Sequence, residues 1–414
     1  NVAIGENAGD ALTTGSDNTL VGDNAGGALT TGTDNIAIGS AALDTEDTGA
    51  RSVAIGSNAL TAQNNDGNNY NVAVGYNSGA AATSGIRNNF FGAESGESLT
   101  TGDDNIAIGY QTLTSETQGN RTVAIGNNAL DAQNSTTDTN MYNVGVGYAA
   151  GGSITTGQNN VLLGALAGDA LTDADANIAI GKSALSADTL GSKSIAIGLG
   201  ALQSQNFTTA TDSFNTAVGH GVGASITTGT ENTLIGGEAG DAITTGSTNT
   251  LVGYLSGSAI TTGGANTAVG RKSMEATTTS SDSVAVGSNA MRVNTTGGDN
   301  TAVGSAALEA NTTASNNTAV GRSALAANTT GHSNVAVGKD ALLVNTTGVE
   351  NTAVGQIALD ANTTGGSNVA VGQAAMSSNT TGSNNTAVGK SAVASNTTGS
   401  QNTAVGSGAL GVNS

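Results

Sequence analysis

The apolar and polar positions of this chain recur with a 17-residue period. The clearest copy is residues 317–325, in which Asn-Thr-Ala-Val-Gly is followed after two residues by Ala-Leu. The same pentapeptide returns at Asn300, Asn351, Asn385 and Asn402. A fixed period is typical of stacked-repeat proteins, so the repeat decides how the rest of the chain is interpreted.

Numbered from this Asn, the chain contains 24 units, and position 5 is Gly in all of them. Positions 3 and 4 are apolar or Gly throughout, and this segment is too short for a helix. It predicts a β-strand that ends in a turn with positive φ. A second short strand is expected at positions 7–12, and a second turn at Asn-Thr-Thr-Gly stretches such as residues 328–331. The pattern therefore predicts an all-β fold, a parallel β-solenoid (β-roll or β-helix) of about 24 coils.

Stacking of the coils has two further consequences. Equivalent residues of neighbouring coils should lie about 4.8 Å apart, so 24 coils would extend on the order of 115 Å. The Asn residues at position 1 should then form a ladder in which each amide bonds to the next, as in other stacked β arrays. This ladder gives the position-1 Asn residues a structural role.

Positions 9 and 12 are coupled. Nine units have Gly at position 9, and eight of these place Leu or Ile at position 12, as in the pair Gly26 and Leu29. The ninth, Gly79, is followed by Ala82. The other fifteen units have Leu, Met or Val at position 9 and a polar residue at position 12. We infer that one large apolar side chain per coil fills a shared volume from either side.

The two faces of the strand predict an oligomer. Positions 3 and 4 point to opposite faces, and both are apolar or Gly in every unit. Position 4, with the larger side chains, is expected inside the coil, as at Val303, Val320 and Val337. Position 3 would then form an apolar stripe on the outside, buried against another copy of the chain in a homo-oligomer. The expected interface residues are Ala302, Ala319 and Ala336.

Three units exceed the 17-residue length and carry projecting loops, at residues 61–70, 131–142 and 203–214. They end at Tyr70, Tyr142 and Phe214, which recur at a 72-residue interval. The sixth position of the following unit is Tyr76, Tyr148 or His220. The sequence thus predicts two regions, residues 1–214 with a four-coil super-repeat and residues 215–414 with plain repeats. Tyr70, Tyr142 and Phe214 are expected to close the base of each loop, and the loops are the candidate partner contacts.

Charge and composition argue against several classes of function. The formal net charge is −20, which argues against nucleic acid and against an anionic membrane surface. No apolar run approaches the ~20 residues of a membrane span, so no membrane insertion is expected. His220 and His332 are too far apart in a solenoid to act together in catalysis. The sequence also has no cluster of ligands with metal-binding spacing. We therefore expect no catalytic site, no metal site and no cofactor. The chain begins at the first position of a repeat and is interpreted as a segment of a longer polypeptide.

Several units resemble a known family. Ser52-Val53-Ala54-Ile55-Gly56 and the equivalent stretches at Ser194 and Ser283 resemble the head repeats of trimeric autotransporter adhesins of the YadA-like kind. The Asn-Thr-Ala-Val-Gly units, with their following Ala-Leu and Asn-Thr-Thr-Gly, look like repeats of phage tail-fibre-like proteins and of large bacterial surface proteins. The resemblance covers the whole chain and implies an extracellular, often trimeric β-roll or β-helix that serves as an adhesive or a spacer stalk. The adhesin heads differ from this chain in using a shorter repeat.

Three functions remain at this point. The leading expectation is a non-enzymatic structural fibre or stalk of an adhesin, surface filament or tail fibre, located at a cell surface or virion. The alternative is a solenoid that binds a cell-surface glycan, a receptor or another surface through its loops. A polysaccharide-degrading β-helix enzyme would need a carboxylate and basic constellation that the sequence does not reveal.

Overall fold

The computed structural model describes residues 1–411, which form two compact units, the first Asn1–Ser213 and the second beginning at Phe214. Each unit is a parallel β-solenoid with one three-residue strand per coil, and the described residues contain 24 such strands. The described residues contain no helix. The predicted fold class and the 17-residue repeat are therefore confirmed.

The first unit contains four two-residue strands in addition to its coil strands. Its coil strands are β1 (Val2–Ile4), β2 (Thr19–Val21), β3 (Ile36–Ile38), β4 (Val53–Ile55), β5 (Val72–Val74), β6 (Asn89–Phe91), β7 (Ile106–Ile108), β9 (Val123–Ile125), β11 (Val144–Val146), β12 (Val161–Leu163), β13 (Ile178–Ile180) and β15 (Ile195–Ile197). The two-residue strands are β8 (Gly119–Asn120), β10 (Thr139–Asn140), β14 (Gly191–Ser192) and β16 (Thr211–Asp212). They pair in parallel, β8 with β10 and β14 with β16, and extend the coils beside the second and third long loops.

The second unit consists of plain coils. Its strands are β17 (Thr216–Val218), β18 (Thr233–Ile235), β19 (Thr250–Val252), β20 (Thr267–Val269), β21 (Val284–Val286), β22 (Thr301–Val303), β23 (Thr318–Val320), β24 (Val335–Val337), β25 (Thr352–Val354), β26 (Val369–Val371), β27 (Thr386–Val388) and β28 (Thr403–Val405). Neighbouring strands are parallel and paired residue for residue, so that Ala319 of β23 lies opposite Ala336 of β24. One 17-residue step therefore superposes each plain coil on the next.

The faces of the strands are the reverse of the prediction. The middle residue, at position 3, is buried in every coil strand except β1. The alanines that were expected at an oligomer interface are 0% exposed within a single chain, namely Ala302, Ala319 and Ala336. Position 4 points outward instead, with Val303 36% exposed and Val320 and Val337 partly exposed. The interface prediction for the position-3 alanines is therefore wrong.

The size of the coil interior explains this reversal. In the coil that begins at Asn317, the side chains of Asn317, Leu325 and Asn328 are all buried and share the interior with Ala319. Little room remains for a fourth side chain, so position 3 is small. Val at position 4 suits a strand whether or not it is buried, because β-branched side chains favour extended backbone. Side-chain size was thus a poor guide to which face is inside.

Glycine at position 5 has the predicted role. The φ angles of Gly304, Gly321 and Gly338 are 139°, 131° and 136°. A Cβ atom on Gly321 would lie 2.6 Å from the carbonyl oxygen of Gly338 in the next coil. Both the backbone conformation and the close approach of the next coil require glycine, so this prediction is confirmed.

Positions 7–12 form consecutive turns and not the predicted second strand. Positions 7, 9 and 17 adopt positive φ, as at Ser323 (54°), Leu325 (53°) and Ser333 (59°). Such angles are uncommon for residues other than glycine. Here they are compensated by hydrogen bonds between coils, because the Leu325 amide donates to the Ala341 carbonyl at 3.0 Å. The polypeptide therefore turns repeatedly over a short stretch while its backbone stays paired to its neighbours.

The predicted Asn ladder at position 1 is confirmed. The Asn334 backbone amide donates to Asn317 Oδ1 at 3.0 Å, and Asn334 Nδ2 donates to the carbonyl of Gly348 at 2.9 Å. The first bond joins neighbouring coils, and the second closes the coil to which Asn334 belongs. Asn317 and Asn334 are almost completely buried. The side chains of Asn317 and Asn334 therefore each satisfy interior backbone groups in two coils.

A second ladder, which the sequence analysis did not predict, lies at position 12 of the second unit. Asn328 Nδ2 donates to Asn311 Oδ1 at 3.0 Å and to the Gly331 carbonyl at 2.9 Å, while Asn328 Oδ1 accepts from Asn345 Nδ2 at 2.9 Å. The same pattern links the position-12 residues from Asn294 to Asn379. The polar residues at position 12 are thus part of the interior.

The shared volume at positions 9 and 12 is also confirmed. A Cβ atom at Gly240 would lie 2.8 Å from Cδ1 of Ile243, so the position-12 side chain occupies the space that a position-9 side chain would need. The exception Gly79 has a local cause. Its Cβ would lie 2.7 Å from the ring of Phe90, a fully buried position-3 residue of the next coil. Phe90 therefore fills the volume that Ala82 leaves.

Candidate functional site

The predicted loop aromatics lie on the surface. Tyr70 is 50% exposed, and its hydroxyl accepts a hydrogen bond from Nη1 of Arg51 at 2.9 Å. The Arg51 guanidinium also lies over the Tyr70 ring, 5.7 Å from its centroid. Tyr142 is 48% exposed and makes the same two contacts with Arg121, at 3.1 Å and 5.8 Å. Each tyrosine is thus held by an arginine of the preceding coil.

Phe214, the third predicted contact residue, belongs to the second unit. It is 53% exposed and has a φ of 49°, close to the 54° of Tyr70 and the 53° of Tyr142. All three aromatic rings are therefore about half exposed. Their residues have the same positive φ as the last residue of a plain 17-residue repeat. They were expected to close the base of each loop, and that role stays a prediction.

A buried carboxylate closes the base of the first loop. Glu46 is 0% exposed and accepts a hydrogen bond from the Gly49 amide at 2.7 Å. Its other oxygen accepts from Nε2 of Gln63 and from Nδ2 of Asn69, both at 3.0 Å. Gln63 Oε1 in turn accepts from Nδ2 of Asn71, which begins the next coil. Burial raises the pKa of the Glu46 carboxyl, and these N–H donors partly oppose that rise.

The same arrangement recurs at the other two loops. Glu116 Oε1 accepts from the amides of Gly119 and Ser135, and its Oε2 accepts from Nε2 of Gln133 at 2.8 Å. Asp188 accepts from the Gly191 amide and from Nε2 of Gln205 at 2.6 Å. The sequence signal for this network is an acidic residue at position 12 of one repeat and Gln at position 12 of the longer repeat that follows it. This signal was not recognised.

An open cleft of about 280 Å³ lies beside the second loop. Its lining is polar and consists of Arg87, Asp103, Asp104, Asn120, Arg121, Asp138 and Asn140. Arg87 Nε lies 2.5 Å from Asp104 Oδ1, and its Nη2 lies 3.5 Å from Asp103. The hydrogen bond from Arg87 lowers the pKa of the Asp104 carboxyl. The cleft brings together the carboxylate and basic groups that the sequence analysis did not find, but they are already paired with one another.

Three exposed tyrosines occupy position 6 of their coils in the first compact unit. Tyr76, Tyr110 and Tyr148 are 53%, 47% and 60% exposed. They stand on alternate coils, and the coils between them carry the smaller side chains of Ala93 and Asn127. We call Tyr76, Tyr110 and Tyr148 the tyrosine row. Tyr76 and Tyr148 follow the 72-residue period, whereas Tyr110 lies outside it and is visible only when position 6 is compared in every coil.

Backbone hydrogen bonds keep the tyrosine row in register. The Tyr76 carbonyl accepts from the Glu94 amide at 2.8 Å, and the Ala93 carbonyl accepts from the Gln111 amide at 3.1 Å. The Tyr110 carbonyl accepts from the Asn128 amide at 3.0 Å. Position 6 of each coil is thus bonded to position 7 of the next. The tyrosines therefore form one line of backbone positions along the first unit.

A polar row accompanies the tyrosine row at position 7. Gln111 Nε2 donates to Glu94 Oε2 at 2.9 Å, and Asn77 Nδ2 donates to Oε1 of Glu97, a position-10 residue of the next coil, at 2.9 Å. On the other side, at position 4, Phe91 is 43% exposed and Ile108 is 38% exposed. The tyrosine row thus lies between an apolar strand face and a line of amides and carboxylates.

No protein-family model matches the chain, and no curated protein is similar to it. Within residues 1–411, no group of three or more His, Cys, Asp or Glu side chains is placed to hold a metal ion. The described part of the chain also has no helix that is long and apolar enough to cross a membrane.

Proposed function

We propose that this chain is a rigid structural segment of an extracellular attachment fibre, such as an adhesin stalk, a surface filament or a tail fibre. The observation that supports the proposal is the continuity of pairing inside each unit. Backbone ladders link neighbouring coils within a unit, and buried Asn side chains add further links, as between Asn317 and Asn334. With twelve coil strands at about 4.8 Å each, a unit extends roughly 58 Å along its axis.

The spacer role leads to a specific prediction, because attachment should depend on the length of the spacer and not on which coils it contains. Deleting four plain coils, residues 317–384, should weaken attachment of cells that display the protein. Replacing the same residues with another four-coil block of equal length, residues 232–299, should leave attachment unchanged. Attachment is measured in a flow chamber, and electron microscopy reports the length of the fibre. A deletion without effect, or a replacement that abolishes attachment, would refute the spacer role.

Self-association forms part of this proposal. The outward residue at position 4 is apolar in every coil, and Val303, Val388 and Ile235 are 36%, 37% and 41% exposed. Apolar stripes of this kind are usually covered by a partner. The partner is a second copy of this chain, joined through position 4 and not through the buried alanines. Light scattering that reports a stable monomer at micromolar concentration would contradict this.

A second candidate function is recognition of a glycan or receptor by the loops. The specific observation is that Tyr70 and Tyr142 are exposed and held in place by Arg51 and Arg121, and that the polar cleft lies beside the second loop. Exposed loop side chains on a rigid scaffold often carry recognition. Simultaneous substitution of Tyr70, Tyr142 and Phe214 by Ala should then reduce binding on a glycan array. Unchanged array binding would leave the loops without this role.

A further inference from the structure

The tyrosine row is exposed in a chain that has very few aromatic residues. Aromatics make up 2% of the sequence, and all six tyrosines are between 47% and 60% exposed. Among residues 1–411, no hydrogen bond holds the phenol oxygens of Tyr76, Tyr110 or Tyr148, whereas those of Tyr70 and Tyr142 are bonded to arginines. The row therefore combines free apolar ring faces with free hydroxyls.

The spacing of the row is fixed by the solenoid. Each tyrosine is two coils from the next, which corresponds to about 9.6 Å. The intervening Ala93 is small, and Asn127 Oδ1 accepts a hydrogen bond from the Tyr110 backbone amide, which turns its side chain back along the surface. The three rings are thus separate platforms at equal intervals and not one stacked aromatic cluster.

We propose that the tyrosine row binds an uncharged, extended β-1,4-linked polysaccharide that lies parallel to the axis of the first unit. In such a polymer every second sugar presents the same C–H face, and the length of this disaccharide repeat is close to two coils. A pyranose C–H face packs on an aromatic ring, while the tyrosine hydroxyl remains available to the sugar hydroxyls. One ring per disaccharide therefore matches the polymer without bending it.

The surroundings of the row favour this ligand over others. Glu94, Gln111 and Asn128 at position 7 supply carboxylate and amide groups beside Tyr110 and in the coils on either side of it, as sugar hydroxyls require. Residues 1–150 contain 16 acidic and 3 basic side chains, so a polyanion would be repelled. An uncharged polymer meets no such barrier. The site is distinct from the loop residues Tyr70, Tyr142 and Phe214, and it would bind whether or not the chain serves as a spacer.

The test is co-sedimentation of the intact protein with microcrystalline cellulose and with chitin powder, with α-linked amylose as the mismatched polymer. Wild-type protein should sediment with at least one of the β-linked polymers and not with amylose. Each single substitution of Tyr76, Tyr110 or Tyr148 by Ala should weaken binding about fivefold, and the triple variant should lose it. Tyr254 occupies position 6 of a coil in the second unit and lies outside the tyrosine row. Tyr254→Ala is therefore the matched control and should bind like wild type.

A second variant tests the spacing itself. Ala93→Tyr combined with Tyr110→Ala keeps three tyrosines but places them at intervals of one and three coils. This variant should bind as weakly as Tyr110→Ala alone. Because all of these side chains are at least partly exposed, the variants should fold, which circular dichroism will check. Wild-type protein that binds neither β-linked polymer, or a triple variant that binds as well as wild type, would overturn the proposal. So would a triple variant that changes only the oligomeric state, since the row would then contact a second copy.

Discussion

Replacing Asn328 by Ala tests the buried ladder at position 12, which gives the plain coils their polar interior. Asn328 is 0% exposed and takes part in three hydrogen bonds. It donates to Asn311 Oδ1 and to the Gly331 carbonyl, and it accepts from Asn345. The substitution therefore removes one rung of the ladder and leaves its neighbours without a partner at that point.

The magnitude follows from those three bonds. Each contributes a net of about 1 kcal/mol, and a buried acceptor that is left unsatisfied costs roughly a further 1–3 kcal/mol. Gly331 keeps a second donor, since Asn317 Nδ2 also bonds to its carbonyl at 3.0 Å. Asn345 keeps its bond to the Gly348 carbonyl at 3.0 Å. Asn311 Oδ1 has no such replacement, so we expect a total cost of about 3–5 kcal/mol.

Hydrogen exchange is the appropriate assay, because stacked repeats unfold in parts and a single global transition cannot be assumed. The opening free energy of residues 317–350 should fall by the stated amount, while coils several repeats away should change little. Thr330→Ala is the control. Thr330 is exposed in the same coil, and its replacement should change the opening free energy by no more than about 0.5 kcal/mol. If the Asn328→Ala and Thr330→Ala variants have the same opening free energy for residues 317–350, the ladder is not a source of stability.

The remaining predictions concern the strand faces, the glycine turn and Asp169, a partly buried acid of the first unit. Ala319→Asp should destabilise its coil by at least about 3 kcal/mol because it buries a charge, whereas Val320→Asp should cost only about 1 kcal/mol because its side chain points outward; denaturation midpoints that rank these variants in the opposite order would reject the assignment of faces. Gly321→Ala should cost about 2–4 kcal/mol, since its Cβ would contact the Gly338 carbonyl, while Gly67→Ala, with no atom within 4 Å of a new Cβ, should be close to neutral in the same urea titration. Burial raises the pKa of Asp169 above its ordinary value of 3.8, so the folded state binds the proton more tightly than the unfolded state and this contribution to stability is lost as the pH rises through the raised pKa. Asp169→Asn should therefore raise the thermal midpoint at pH 7 and make the midpoint less dependent on pH between 7 and 4; an unchanged pH dependence would count against the burial of this carboxylate.

The sequence was sufficient to predict the repeat, the strand, the glycine turn and the position-1 ladder. Each of these depends on a residue type that has one dominant structural use, such as Gly321 at positive φ or Asn334 in a stacked array. The direction of the side chains could not be read in this way. Positions 3 and 4 are both apolar or Gly, and the distinction depends on how much interior volume Asn317, Leu325 and Asn328 leave for Ala319. That volume is a property of the whole coil.

The second strand was predicted wrongly for a related reason. Leu325 at a φ of 53° has no sequence signal, because leucine rarely adopts this conformation and nothing adjacent to it requires the turn. The conformation is imposed by pairing with the next coil. The candidate site was only partly predictable as well. Position 6 varies widely among the units, so Tyr110 gains meaning only when the coils are aligned and the two-coil interval becomes visible.

The uniform 17-residue step of the second unit has a genetic consequence. The strand pairs and both Asn ladders join residues 17 apart in neighbouring plain coils. Recombination between two such repeats that removes or adds one whole unit therefore brings equivalent residues together at the junction, and no new fold has to be found. A shift by any other number of residues would misalign Gly321 and Asn328 with their neighbours at once. The coding sequence can thus lengthen or shorten the protein in increments of about 4.8 Å, and selection can adjust its reach without changing the pattern of contacts between coils.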